Sequence, residues 1–278
     1  MLLSNVALNY CLIFGKGGFP AAGIAGAAIA SSVSEAVSLL FFIIYTSMTA
    51  DKRKYGFRRA FTLRPHLLKG MLSISGWTMV QSFISVSIWF IFFLAIEHLG
   101  ERPLAVTNIV RNISALLIMV ISAFATTAGA LISNQIGAGE QRCLFKTCGM
   151  TLKLTYAILI PLLIILCLFP EPVLRAFTDS PSLIAASVNS VYVMASSTLI
   201  MAPSFILFNA VSGTGNTKAG FIMEMISLAV YTAVIYYGII RLKPDVALCW
   251  FSEHVYGVTL IILAWWYLKS GKWRGKKV

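Results

Sequence analysis

The stretch LLKGMLSISGWTMVQSFISVSIWFIFFLAI, residues 67–96, contains a single charged side chain, Lys69, close to its start. A helix needs about 20 mostly apolar residues to cross the hydrocarbon core of a bilayer, and a tilted helix needs more. The stretch is long enough for such a helix, and its apolar residues do not alternate with polar ones as they do in a membrane β-strand. It therefore predicts a membrane-spanning helix.

Similar apolar stretches recur along the whole chain of 278 residues, of which 58% are hydrophobic and only 12% charged. A soluble domain carries about 25% charged residues, so the composition excludes a soluble enzyme, a disordered chain and a disulfide scaffold. Helices satisfy every backbone group within their own segment, which lipid requires. We predict an all-α integral membrane protein with about eight transmembrane helices, the first of them short, at 1–14, 21–48, 67–96, 104–136, 146–169, 183–211, 219–240 and 246–268.

The distribution of positive charge predicts the topology of these helices. When both termini are placed in the cytoplasm, sixteen of the 22 Lys and Arg residues fall on the inner side and five on the outer side, and Arg111 lies within a helix. This asymmetry satisfies the positive-inside rule. We therefore expect a multi-pass protein of the cell membrane, with the basic run KRKYGFRR (52–59) at anionic lipid headgroups. Nucleic-acid binding is the remote alternative, and we expect none.

The sequence offers no catalytic or metal-binding cluster. The five cysteines lack CxxC spacing and a nearby histidine, whereas structural zinc requires four close Cys or His ligands. His66, His98 and His254 fall on loops and separate helices, so no nucleophile–base pair is predicted. We expect neither an enzyme, nor a metal site, nor a bound cofactor.

Three stretches together resemble one transporter family. They are NYCLIFGKGGFPAAGIAGAAIA (9–30), the run from Ala105 and Asn108 to NQIGAG (134–139), and SGTGNTK (212–218). In this order they resemble the MATE family, the multidrug and toxic compound extrusion transporters, whose members have two lobes of six helices. The first stretch is similar to the family's fifth and sixth helices, the second to its eighth, and the third to the turn after its tenth.

The resemblance implies a division of the chain. Residues 1–50 correspond to the last two helices of a first lobe whose first four helices are expected to be missing. Residues 51–66 form a basic cytoplasmic linker, residues 67–268 a complete six-helix second lobe, and residues 269–278 a basic cytoplasmic tail. The missing first-lobe helices are an expected partner, beside the lipid bilayer and a small amphipathic solute.

The family's coupling residues do not transfer to this chain. The aspartate that many members carry on their first helix has no counterpart here. The acidic positions of the family's seventh and tenth helices fall near Ser85 and Met201, and neither residue binds a cation by charge. We therefore expect either another mechanism or a partial protein.

Polar residues on consecutive helices predict a hydrated cavity. Ser75, Thr78, Ser82 and Ser85 recur at helical spacing with Gln81 alongside, and Asn108, Arg111 and Asn112 share one face of the next helix. The alternative is that Arg111 extends to the outer headgroups and the serines bond to their own helix. The cavity is preferred because these groups would otherwise face lipid. The predicted cavity residues are Gln81, Ser85, Asn108, Arg111, Asn112, Asn189 and Tyr192.

Carboxylates within membrane helices are candidates for proton or ion coupling, because charge at the bilayer centre costs about 2.5–3.5 kcal/mol. Glu35 and Glu253 are the predicted coupling residues. Glu224 lies about a turn and a half from the predicted inner loop, so a structural glutamate, either hydrogen-bonded between helices or hydrated, is favoured there.

The leading hypothesis is a MATE-like secondary transporter that exports amphipathic organic compounds or drugs, driven by a Na⁺ or H⁺ gradient. The alternatives are a flippase for lipid-linked oligosaccharides or polysaccharides of the same superfamily, and a non-transporting remnant. A cavity lined by several Arg or Lys would favour the flippase, and a neutral, aromatic or acidic cavity would favour the drug exporter. We also predict that the chain by itself does not catalyse ion-coupled transport in liposomes.

Overall fold

A computed structural model describes residues 1–50, 64–271 and 273, except for the side chains of residues 73 and 74. Every regular element in these ranges is helical. The predicted basic run 52–59 and most of the predicted tail, residues 272 and 274–278, lie outside the described residues. The chain divides into two compact units, Met1–Leu68 and Lys69–Val278.

The described helices agree with seven of the eight predicted spans, and the first predicted span is a shorter helix. Seven helical segments among the described residues are long and apolar enough to cross a membrane, which confirms an all-α membrane protein. In chain order the helices are α1 (Leu2–Phe14), α2 (Gly23–Thr49), α3 (Pro65–Glu97), α4 (Glu101–Gly137), α5 (Leu144–Leu168), α6 (Pro170–Arg175), α7 (Pro181–Gly213), α8 (Thr217–Val234), α9 (Val246–Cys249) and α10 (Phe251–Ser270).

The first helix is short, as predicted. At about 1.5 Å per residue, the 13 residues of α1 extend roughly 20 Å, against about 30 Å for the hydrocarbon core. In the first unit α1 packs on a stripe of small residues on α2, whose buried residues are Gly26, Ala30 and Ser34. A Cβ atom on Gly26 would clash with the backbone of Leu12, so this contact requires glycine.

The second unit is built around the contact between α4 and α7. A Cβ atom on Gly213 would lie 2.5 Å from the carbonyl oxygen of Gly129, so the two backbones touch directly. Small residues allow such an approach between membrane helices, where van der Waals packing replaces the hydrophobic effect. Further along the same helices, Val110 and Val191 are fully buried, with Leu159 of α5, in a separate apolar core cluster.

Helix α3 packs differently, through large aromatic side chains. Phe92 is fully buried, with its ring 6.5 Å from that of Tyr231 on α8 and 5.8 Å from that of Trp250. Trp77 packs on Phe221 at 5.1 Å. Such rings hold the backbones apart, which leaves room between α3, α8 and α10.

Several of the predicted continuous helices contain irregularities that the sequence analysis did not predict. Helix α7 contains Pro203, which has no N–H to donate to the carbonyl of Leu199 four residues earlier. The hydroxyl of Tyr156 on α5 donates to that carbonyl instead, at 2.8 Å. Helix α8 continues as a π-helical segment, Ile235–Arg241, and the last span is interrupted at Trp250, between α9 and α10.

Candidate functional site

Two adjoining, half-open cavities lie in the second unit. The first, which we call the Glu253 cavity, has a volume of about 130 Å³, and the second, the Glu224 cavity, about 230 Å³. Both are lined by Ser85 from α3, Phe205 from α7 and Tyr256 from α10. The cavities therefore meet where these three helices face α8.

The Glu253 cavity combines one carboxylate with aromatic side chains. Tyr231 on α8 donates a hydrogen bond of 2.7 Å to Oε1 of Glu253 on α10. Trp89 and Phe205 line the same space, together with Met201. Glu253 and Tyr256 are three residues apart on α10 and so share one face of that helix.

The Glu224 cavity has a second carboxylate. Glu224 is only 3% exposed, and its Oε1 accepts hydrogen bonds from Tyr256 at 2.9 Å and from Ser85 at 3.2 Å. Asn209, Ser122 and several apolar side chains complete the lining. Glu224 therefore joins α8 to both α3 and α10 through hydrogen bonds.

Neither cavity provides a counter-ion for its carboxylate. No Lys, Arg or His from the described residues lines either one. An ionised carboxylate in a low-dielectric interior is costly unless it is paired. A proton or a bound cation would remove that cost, so the two cavities have the chemistry of cation-binding sites. The described residues contain no group of three or more His, Cys, Asp or Glu that could hold a metal ion.

The structure brings together only part of the predicted site. Ser85 and Glu253 line the Glu253 cavity, whereas Gln81 is half-buried and lines neither cavity. Glu35 is exposed on α2 in the first unit. The sixth-span residues Asn189 and Tyr192 are exposed, outside both cavities.

The predicted polar face of α4 also lines neither cavity. The guanidinium group of Arg111 lies over the ring of Phe93, 5.1 Å from its centroid, as a cation–π contact. Asn108 is half-buried and Asn112 is exposed. The Nε atom of Arg111 is buried and has no hydrogen-bond partner among the described residues.

Tyr231 and Tyr256 were not among the predicted site residues, and Glu224 was predicted only as structural. The structure shows hydrogen bonds to Glu224 from two neighbouring helices, which is one of the two structural alternatives, and its place on a cavity was missed. The sequence contains a usable signal, because Glu224 and Tyr231 are two helical turns apart on α8. On α10, Glu253 and Tyr256 form a second pair of an acid and a tyrosine on one helix face, three residues apart.

A multi-helix membrane bundle with carboxylates facing half-open cavities has the features of a membrane transporter, since ionisable groups inside a membrane mark substrate or ion pathways. The sequence supports this class. A family profile described as MatE matches residues 78–237, more than half of the chain. The chain therefore belongs to the MATE family, whose members are multidrug efflux transporters and not enzymes.

Curated relatives match most of the chain at modest identity. A probable multidrug resistance protein NorM from Thermotoga maritima is 26% identical over 99% of this chain and 59% of its own length. The uncharacterized transporter YisQ of Bacillus subtilis is 25% identical over 82% of this chain and 50% of its own length. The chain thus spans about half the length of the curated relatives that it matches.

Solved structures match the fold. A MOP-superfamily transporter from Pyrococcus furiosus aligns with a TM-score of 0.78 at 18% identity, over 96% of this chain and 60% of its own. The Vibrio cholerae MATE transporter VcmN, in its bent form, aligns with a TM-score of 0.75 at 14% identity and the same coverage. These similarities confirm the MATE-like helical bundle.

Proposed function

We propose that this chain takes part in the cation-coupled export of amphipathic organic cations across the plasma membrane, with both termini in the cytoplasm. The observation that carries the proposal is the lining of the Glu253 cavity, which is acidic and aromatic and contains no Lys, Arg or His among the described residues. A carboxylate beside aromatic rings attracts an organic cation both by charge and by cation–π interaction.

A drug-sized organic cation needs the space of both cavities together. Each cavity alone is below the roughly 300 Å³ at which sites for drug-sized ligands begin. The two cavities share Ser85, Phe205 and Tyr256, so a ligand that displaces these side chains has access to both. Met201 adds a flexible side chain that adapts to ligands of different shape.

The positions of the carboxylates support cation coupling. Ser85 and Met201, near which the family resemblance implies acidic residues, both line the Glu253 cavity. The negative charge there comes from Glu253 on α10. We therefore assign the predicted coupling role to Glu253, with a Na⁺ or H⁺ gradient as the driving force, whereas a coupling role for Glu35 stays a prediction.

The cavity lining also separates this proposal from the flippase alternative. A flippase for lipid-linked oligosaccharides binds phosphate groups, which Arg and Lys side chains recognise. Arg111, the basic residue predicted to face the cavity, packs on Phe93 and lines neither of the two cavities. The observed lining suits a positively charged ligand and disfavours a phosphate.

The test is equilibrium binding to the full chain in lipid nanodiscs, with tetraphenylphosphonium as the organic cation and undecaprenyl phosphate as the anionic lipid. We expect tetraphenylphosphonium to bind, and Glu253→Gln to weaken its binding about tenfold or more, since truncating one partner of a buried charge pair costs 2–5 kcal/mol. Glu140→Gln, at an exposed position, is the matched control. Preferential binding of undecaprenyl phosphate would overturn the proposal in favour of the flippase.

A further inference from the structure

A half-open groove of about 220 Å³, which we call the α8–α10 groove, shares no described lining residue with the Glu253 cavity or the Glu224 cavity. Asn216, just before α8, donates a hydrogen bond to Tyr267 near the end of α10, so the start of α8 lies beside the end of α10. The groove lies at this end of the two helices. Most of its lining comes from Ile222, Met223 and Ile226 on α8 and from Leu263, Trp266 and Tyr267 on α10.

The α8–α10 groove opens towards lipid. Ile222, Ile226 and Trp266 are exposed, and Trp266 is 71% exposed. Trp266 lies four residues before the end of α10, and tryptophan near the end of a membrane helix is typical of the headgroup level. Lipid tails are as apolar as these side chains, so the walls of the groove do not by themselves select one lipid. Selectivity requires polar groups at the end of the groove.

The groove ends beside two positive charges. Lys218, Ile222 and Ile226 recur every four residues, so Lys218 lies on the same side of α8 as the groove. On α10, Lys269 follows Trp266 by three residues and shares its side of that helix. Both lysines are exposed, and no Asp or Glu from the described residues lines the groove. The charge at this end therefore complements an anion.

Neighbouring side chains position the polar groups at this end. The ammonium group of Lys218 lies 5.8 Å from the ring centroid of Trp77, a cation–π contact that positions it and keeps its charge. The hydroxyl of Tyr267 accepts a hydrogen bond of 2.6 Å from Asn216, whose side-chain oxygen accepts in turn from the N–H of Ala219. A phenol hydroxyl both donates and accepts, so Tyr267 still has a proton to donate. Two ammonium groups and an oriented hydroxyl suit the oxygens of a phosphate group.

We propose that the α8–α10 groove binds one anionic phospholipid from the leaflet at this end of the bundle. One acyl chain lies along the groove between Ile222 and Trp266, and the phosphate group contacts Lys218, Lys269 and the hydroxyl of Tyr267. The charge distribution predicts this leaflet to be the cytoplasmic one, whose anionic lipids attract Lys and Arg side chains. The inference does not depend on the proposed function, because the groove is separate from both cavities.

The position of the lipid is tested by photocrosslinking the full chain in lipid nanodiscs. The probe is phosphatidylglycerol with a diazirine in one acyl chain, and phosphatidylcholine with the same label is the matched neutral probe. We expect phosphatidylglycerol to label the groove residues of α8 and α10 more than phosphatidylcholine does. Met150 and Leu154, exposed apolar residues of α5, report random lipid contact. Equal labelling of α5 and the groove, or equal labelling of the groove by both probes, would overturn the proposal.

The contribution of the charges is tested by native mass spectrometry of the full chain in detergent, titrated with each of the two lipids. Lys218→Gln and Lys269→Gln are each expected to weaken phosphatidylglycerol binding about fivefold, as for a basic residue near an anionic membrane surface. Phosphatidylcholine binding is expected to stay unchanged. Arg142→Gln removes one exposed positive charge from the connection before α5 and is the matched control. An equal loss in Arg142→Gln would show that net charge alone attracts the lipid, and the site would be wrong.

The contribution of the acyl chain is tested separately. Ile222→Trp fills the groove and keeps both lysines, so it is expected to abolish labelling of the groove by phosphatidylglycerol. Should this variant fail to fold, Ile226→Trp fills the groove one turn further along α8. Glycerol 3-phosphate, which has the phosphate group without acyl chains, is expected not to compete with the probe. Competition by glycerol 3-phosphate, or unchanged labelling in the Trp variant, would overturn the proposal, because the site would then bind phosphate without using the groove.

Discussion

Helices pack in opposite ways in two regions of the second unit. Where α4 meets α7, Gly129 and Gly213 bring the backbones into direct contact. Where α3 faces α8 and α10, the large rings of Phe92, Tyr231 and Trp250 hold the helices apart. The first arrangement leaves no space, and the second leaves two cavities that contain carboxylates.

The difference indicates that one region contributes mainly to stability and the other mainly to binding. Membrane helices gain stability from close packing and not from the hydrophobic effect, so the α4–α7 contact is where stability is concentrated. Buried carboxylates without counter-ions disfavour the folded state, so the region around Glu224 and Glu253 is retained for its chemistry. Substitutions in the first region should change stability, and those in the second should change binding.

The largest effect is expected from Gly213→Leu. A Leu side chain begins with a Cβ atom that would lie 2.5 Å from the carbonyl oxygen of Gly129, so the helices must separate. We expect a loss of about 3 kcal/mol, the upper end of the range for overpacking. The measurement is unfolding of the purified protein in a denaturing detergent. Gly149→Leu on α5 is the control, because nothing lies within 4 Å of its Cβ position, and equal losses in both variants would contradict the contact.

A smaller loss is expected from Tyr156→Phe, because it leaves the carbonyl of Leu199 without its donor. In lipid no water replaces the lost donor, and a polar group without a partner there costs about 1–3 kcal/mol. Pro203→Ala should restore an N–H donor for the same carbonyl. The unfolding free energy is therefore expected to fall less on Tyr156→Phe in the Pro203→Ala background. An equal loss in both backgrounds would show that Tyr156 does not act through Leu199.

The spans of the fold could be predicted from the sequence because lipid imposes strong rules on length and composition. The predicted span 183–211 corresponds to the observed helix Pro181–Gly213, and the predicted span 104–136 corresponds to Glu101–Gly137. The break at Trp250 could not be predicted in this way, because hydropathy does not report the backbone path inside an apolar stretch. The short helix α6 was included in a predicted loop for a related reason, since six residues are too few for a periodic pattern.

The site was harder to predict, because helical periodicity groups residues on one helix and does not show which helices face each other. It grouped the polar residues of α3, and of these Ser85 lines both cavities. It could not show that Asn108, Arg111 and Asn112 on α4 would not line those cavities. Nor could the distance of Glu224 from the end of its helix show that Tyr256 donates a hydrogen bond to it.

A change that separates stability from binding is Tyr231→Phe. It removes the hydrogen bond to Glu253 and keeps the ring that packs on Phe92. We expect a loss of about 0.6 kcal/mol in unfolding free energy, typical of hydrogen bonds between membrane helices. Tetraphenylphosphonium affinity should nevertheless change, because Glu253 loses the group that orients it. Tyr237→Phe at an exposed position is the control, and unchanged affinity in Tyr231→Phe would contradict the role of the Glu253 cavity.

The smallest single effect is expected from Ser85→Ala, below about 0.6 kcal/mol, because its 3.2 Å hydrogen bond is the longer of the two that Glu224 accepts. While Tyr256 remains, the carboxyl group keeps one donor. The double variant with Tyr256→Phe removes both donors, so it should cost more than the sum of the single changes. A double-mutant cycle of unfolding free energies measures this excess. Additive costs would mean that Ser85 and Tyr256 do not share Glu224, and the connection of α3 to α8 and α10 through this carboxyl group would be wrong.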